Sequence, residues 1–147
     1  MRRLLAISLL AAAACGGAPK AAPAAAELEV AGPASIAGTW VSADDLDFGY
    51  RLVLAPDGAY LLTIDRGKMG TCEQKGGLRG SVSPRTYQLA YAKDTCASEP
   101  GTGPAAVTFE VASYTGGSLT VALTAEGTPL RRTYQRDPNA PMATPAP

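Results

Sequence analysis

From Ile36 onward the chain alternates apolar and polar residues with a period of two, the mark of strands that turn one face to a core. Ile36 to Ser42 is the first such stretch and carries the single Trp. In Tyr50 to Ala55, Leu52 and Leu54 share a face. Pro56-Asp57-Gly58 then supplies a preset φ and a residue that tolerates positive φ, the makings of a hairpin turn. The return strand, Tyr60 to Ile64, puts Tyr60, Leu62 and Ile64 on one side. The same rhythm recurs at Tyr87, Leu89 and Tyr91, at Val107, Phe109 and Val111, and at Leu119, Val121 and Leu123. It closes with Leu130-Arg131-Arg132-Thr133-Tyr134-Gln135-Arg136. Cys72 to Val82 is glycine-rich, and Gly76, Gly77 and Gly80 suit a bend or bulge. Seven or eight antiparallel strands and no helix are expected. One-sided alternation predicts an all-β sheet closed on itself or a sandwich, and sequential hairpins favour an up-and-down meander barrel.

Before Ile36 the pattern is different. Met1-Arg2-Arg3 is a charged start, Leu4 to Leu10 is apolar apart from Ser8, and Ala11 to Ala14 is a patch of small residues. That is the layout of a secretory signal peptide, with an apolar run too short to span a bilayer. The Cys15-Gly16-Gly17 that follows resembles the lipobox of bacterial lipoproteins. The resemblance implies cleavage before Cys15 and acylation there with fatty chains such as palmitate. Two or more chains on one residue would hold the protein stably at a membrane. The absence of Asp after Cys15 favours, by the same resemblance, the outer membrane of the cell envelope. The segments expected are therefore residues 1–14 as signal peptide, 15–35 as lipidated Cys and Ala/Pro-rich tether, 36–136 as barrel, and 137–147 as a disordered Pro-rich tail.

Composition removes several classes of function. Thirteen basic residues balance 13 acidic ones, and without Arg2 and Arg3 the basic count falls to 11, a net of −2. No basic field exists to hold nucleic acid. With no His, the usual general base and the commonest metal ligand are missing. Ser81 and Ser83 have no candidate base, and Glu73, Glu99 and Glu110 are scattered. No catalytic residue, metal or cofactor is expected. Asp44-Asp45-Leu46-Asp47 offers oxygens that suit Ca²⁺ in type but not in spacing, so a solvated turn is expected. Arg79 and Arg85 are expected as exposed turn charges.

Cys72 and Cys96 remain after Cys15 is assigned to the lipid. In an exported chain they are expected to be oxidised to each other. A hairpin turning at Pro84 pairs residues whose numbers sum to 168, which sets Cys72 opposite Cys96. A redox pair or a metal site is disfavoured by the wide spacing and the lack of His. Free thiols would require a looser register.

Gly38-Thr39-Trp40 on the first strand resembles the G-x-W signature of lipocalin-like barrels. In that family the Trp closes one barrel end under an Arg from the last strand. The resemblance implies closure by Gly38, Trp40 and an Arg of 130–136. Arg132, in phase with Leu130 and Tyr134, is the first candidate, and Arg136 the second. It also implies a small apolar or amphipathic ligand, for which Tyr60, Leu62, Tyr87, Tyr91 and Phe109 are the candidate lining, with Tyr50 and Tyr114 as further aromatics that could face it; the same alternation also suits plain core. The alternative is a protein that works through its surface, such as a periplasmic protease inhibitor. Small inhibitors of that type also resemble a barrel with a G-x-W start and one disulfide, and use the segment before the barrel.

Overall fold

The computed structural model describes residues 25–44, 48–97, 107–125 and 127–141. The expected signal peptide and lipid site, Cys15, lie outside the described residues. Eight strands form one closed barrel in chain order: β1 (Gly38–Ser42), β2 (Gly49–Leu54), β3 (Ala59–Asp65), β4 (Thr71–Ser83), β5 (Thr86–Asp94), β6 (Val107–Tyr114), β7 (Ser118–Thr124) and β8 (Leu130–Arg136). Every neighbour is antiparallel, and β8 returns to β1 through Trp40↔Arg136, Val41↔Gln135 and Ser42↔Tyr134. Closure leaves no edge strand to pair with another chain. Among the described residues the only helical turns are short 3₁₀ pieces at Pro33–Ile36 and Gly67–Met69.

The alternating residues named above point inward. Leu52, Leu54, Tyr60, Leu62, Tyr87, Leu89, Phe109, Val111, Leu119, Val121 and Tyr134 are all buried, and among the described residues no polar residue joins them apart from the tyrosine hydroxyls. Phe109 sits at the centre, its ring edge-on to Tyr60 at 6.3 Å and tilted against Tyr87 at 6.4 Å. Such aromatic pairs add about 0.5–1.5 kcal/mol beyond area burial.

The β4–β5 hairpin carries the disulfide. Gln74↔Asp94 and Lys75↔Lys93 keep the sum of 168, and the Cys72–Cys96 bond lies beyond them with Cα atoms 5.1 Å apart. The middle of the hairpin departs from that register. From Gly76↔Tyr91 to Arg79↔Gln88 the pairing slips by one residue, then recovers through a second bulge. Gly76 is where the slip begins. A β-carbon there would collide with the Ala90 carbonyl, so only glycine lets the two backbones approach.

Both ends of the expected domain need correction. Residues 27–35 are not a free tether. Leu28 N–H donates to the Tyr114 carbonyl at 2.7 Å, Arg85 pairs with Glu27, and Val30 and Ile36 are buried in the core. Leu28 lies against the β6–β7 turn, where a β-carbon on Gly116 would stand 3.3 Å from its Cδ1. At the other terminus, residues 137–140 form a turn. Asp137 N–H donates to Thr39 O at 2.9 Å, and its carboxylate accepts from Asn139 N–H and pairs with Arg51 at 3.3 Å.

Two predictions follow from the hairpin. Titration of denatured, unreduced protein finds no free thiol from Cys72 or Cys96. Reduction lowers unfolding stability by about 3.5 kcal/mol, the chain-entropy value for a loop of about 25 residues. A urea midpoint unchanged by reduction would contradict it.

Candidate functional site: a barrel sealed at one end

Strand directions sort the barrel into two ends. The starts of β1, β3, β5 and β7 share one end with the turns 55–58, 84–85 and 115–117; the starts of β2, β4, β6 and β8 lie at the other.

The first end is sealed. Trp40 is fully buried, and its indole Nε1–H donates to Ile36 O at 3.1 Å. Tyr114 meets the indole edge-on, with centroids 6.1 Å apart. Arg136 lies over the outer face of the ring, its guanidinium carbon 4.4 Å from the centroid, while Nε donates to Gly116 O at 3.0 Å. Arg132, the first candidate for this place, is elsewhere. The β1–β8 register puts Arg136 directly opposite Trp40, and Arg132 lies four residues, or about 13 Å, further along the strand. Gly38 has a local reason to be glycine. Its φ is +148°, and a β-carbon there would stand 2.5 Å from Arg136 Nη1. A side chain at that position would push the guanidinium off the indole.

The second end holds a cavity of about 300 Å³. Tyr50 at the start of β2, Leu62 and Ile64 late in β3, Gln74 early in β4, Tyr91 late in β5 and Val107 at the start of β6 line it. Leu123, Leu130 and Arg132 complete the wall from β7 and β8. Leu130, half exposed, stands at the lip. The disulfide and the Arg66 bond to Cys96 O, at 3.1 Å, tie the rim on the β3–β5 side.

Among the described residues, Arg132 is the only charged side chain in that wall. Its guanidinium carbon lies 3.6 Å from the centroid of Tyr50, a stacked contact. Its Nη1 is enclosed and has no hydrogen-bond partner among the described residues. The described carboxylates at this end are engaged elsewhere, Glu73 in an ion pair with Lys75 at 3.1 Å. Asp44 accepts from Thr133 N–H at 2.8 Å, and Asp65 from Gly67 N–H at 2.9 Å. Asp94 accepts from Cys96 N–H, Ala97 N–H and Gln74 Nε2. Asp44 thus braces β8, while Asp45 and Asp47 lie outside the described residues.

Of the expected lining residues, Leu62 and Tyr91 face the cavity, whereas Tyr60, Tyr87 and Phe109 fill the core beneath it. Tyr50, also among the aromatics expected, faces the cavity, and Tyr114 stands at the sealed end against Trp40. Ile64, Val107, Leu123 and Arg132 were not among those expected. Their inward parity was visible in the sequence; their height along the barrel was not, because it depends on strand register. Among the described residues no three His, Cys, Asp or Glu side chains converge to hold a metal. Comparison of the chain with models of protein families, with curated proteins and with solved structures finds no match.

Burial shifts the tyrosines of the interior. It pushes the Tyr134 phenol up to about 12, against a smaller downward pull from Arg132. Tyr60 is raised further, by burial first and by Tyr91 second. Folded protein therefore keeps protons that unfolded chain releases near pH 10. This contribution to stability is whole below about pH 10 and is lost as pH climbs toward about 12. Urea midpoints measured from pH 8 upward stay level and then fall above about pH 10, and Tyr134→Phe makes the fall shallower. A midpoint that rises over that range would contradict the assignment.

The two arginines give a sharper test. Arg136→Ala alters Trp40 emission and costs about 0.5–2 kcal/mol. Arg132→Ala leaves the emission as it was. Equal spectral changes in both variants would mean that the ends have been assigned wrongly.

Proposed function

We propose that the chain is an envelope lipoprotein, anchored at the outer membrane through acylated Cys15, whose lipocalin-like barrel binds one small apolar or amphipathic molecule. The observation that carries the binding is the pairing of a sealed end with an apolar cavity of about 300 Å³ at the other. Its wall of Leu62, Ile64, Val107, Leu123 and Tyr91 matches the lining expected of a small-molecule site, mostly apolar with few polar groups. The G-x-W stretch and the Arg over the indole support the kinship with lipocalin-like barrels. The anchor rests on the charged start, the apolar run and Cys15 after small residues.

An inhibitor that inserts the segment before its barrel into a protease is less well supported. Glu27, Leu28 and Val30 are already committed to the barrel's own surface.

Titration with the neutral fluorophore 1-aminoanthracene tests the binding. One molecule binds per chain with a rise in fluorescence, and Leu62→Trp, which fills the cavity, weakens binding at least tenfold while the chain still melts cooperatively. Absence of binding by the unaltered chain, or full binding by Leu62→Trp, would sink the proposal. Labelled palmitate enters the chain in cells and does not enter Cys15→Ser; label retained by that variant would remove the anchor.

A further inference from the structure

We infer that the sealed end of the barrel is a membrane-facing surface, its partner the bilayer that holds the anchor, and that the cavity mouth opens away from that bilayer. This rests on the reading of Cys15 as the lipid site and not on what the cavity holds. The inference starts from where the chain enters the fold. β1 begins at the sealed end, and the segment before it is stitched to that same end. Leu28 N–H donates to Tyr114 O at 2.7 Å, beside the 115–117 turn. Arg85, in the 84–85 turn, pairs with Glu27 and donates to Leu28 O at 3.4 Å. Val30 and Ile36 are buried. Pro33 stands against the 55–58 turn, where a β-carbon on Gly58 would lie 3.6 Å from its Cγ. The three hairpin turns of the sealed end thus all meet this one strap.

The strap decides how much chain is left to reach the anchor. Counting on from Cys15, Glu27 is the twelfth residue and Gly38, the start of β1, the twenty-third. At about 3.3 Å per residue the strap cuts the greatest reach from about 76 Å to about 40 Å. The barrel adds its own height. A strand of 7 residues such as β3, inclined as closed barrels require, rises about 18 Å between turns. With the sealed end toward the bilayer, the tether spans only the gap up to Glu27. With the mouth toward it, the tether must also run along the whole outer wall, which uses about half of its limit. Drawing a chain out so far costs conformational entropy, so the first orientation is favoured. The exposed apolar side chains pull the other way. Met69 and Leu130 stand at the mouth, and Leu28 stands at the sealed end. Single apolar side chains on a rim are ordinary surface, and the tether outweighs them. A guest therefore reaches the cavity from the side away from the anchoring bilayer.

Energy transfer to the bilayer tests this, using the acylated full chain in vesicles of phosphatidylethanolamine and phosphatidylglycerol with a rhodamine acceptor on the headgroups. A donor dye is attached through Gly117→Cys at the sealed end or through Met69→Cys at the mouth. Both places have room for it, since a β-carbon on Gly117 meets nothing within 4 Å and Met69 is exposed. Cys72 and Cys96 are joined and Cys15 carries the lipid, so the introduced thiol is the one that reacts. A separation of about 18 Å along the barrel axis predicts transfer roughly twofold higher from residue 117 than from residue 69. About twenty Gly and Ser residues inserted between Ala18 and Pro19 lengthen the tether without touching the strap, and the difference shrinks. Val30→Asp, which frees the strap, shrinks it as well; melting curves show that each variant is folded. Equal transfer from the two positions in a chain that floats with the vesicles, or higher transfer from residue 69, would overturn the orientation and leave the anchor standing. A difference untouched by the inserted residues would also overturn it, because the tether would not be its cause. Failure of the unaltered chain to float with the vesicles would overturn anchor and orientation together.

Discussion

Everything in this barrel depends on β8 coming back to β1. The pairing of Trp40 with Arg136 turns a strip of eight hairpin-linked strands into a tube with no free edge. The same pair seals the tube. An indole is large enough to span much of a small barrel's bore, and its one polar atom is satisfied by Ile36 O. The guanidinium covers the indole from outside and holds the next hairpin through Gly116 O. Backbone closure and side-chain closure are thus one event, and Gly38 is the residue that leaves room for it.

The consequence is a molecule with two unlike ends. At the sealed end, residues 27–36 and the turn at 137–140 add apolar cover and an ion pair from Arg51 to Asp137. In the middle, three aromatic rings and the aliphatic residues around them leave no room for a guest. Above that layer lies the cavity, and its wall carries a stacked cation with one nitrogen unpartnered among the described residues. An interior that is dense below and vacant above has separated the work of stability from the work of binding. Core residues such as Phe109 can be judged by packing alone, whereas Arg132 has no such justification.

Much of this was legible in the chain itself. Period-two alternation marked the strands other than the glycine-rich β4, and the sum rule at Pro84 gave the disulfide, because the shifts along the hairpin return the pairing to a sum of 168 before Cys72 and Cys96 are reached. The Gly76 slip further along the same hairpin left no trace beyond the glycine, since a bulge depends on how two backbones meet. The choice between Arg132 and Arg136 failed for a related reason. Both have inward parity, and parity says which face a residue takes but not how high it stands in the barrel. Height is set by the β1–β8 register, a contact between chain ends almost a hundred residues apart. The same gap hid Ile64 and Val107 as lining and placed Tyr60 and Phe109 too near the mouth. Val30 escaped notice because Leu28 and Val30 make too short an alternation, set between Ala- and Pro-rich stretches, to be told from a tether.

The account stands or falls on the sealed end. Nuclear Overhauser spectra of the chain test it most directly. The account predicts cross-peaks between the Trp40 indole and the Arg136 side chain, upfield ring-current shifts on Arg136, and slow exchange of the indole N–H. A rapidly exchanging indole with no contact to Arg136 would contradict it, since β8 would then not have closed on β1 and neither end would be as described.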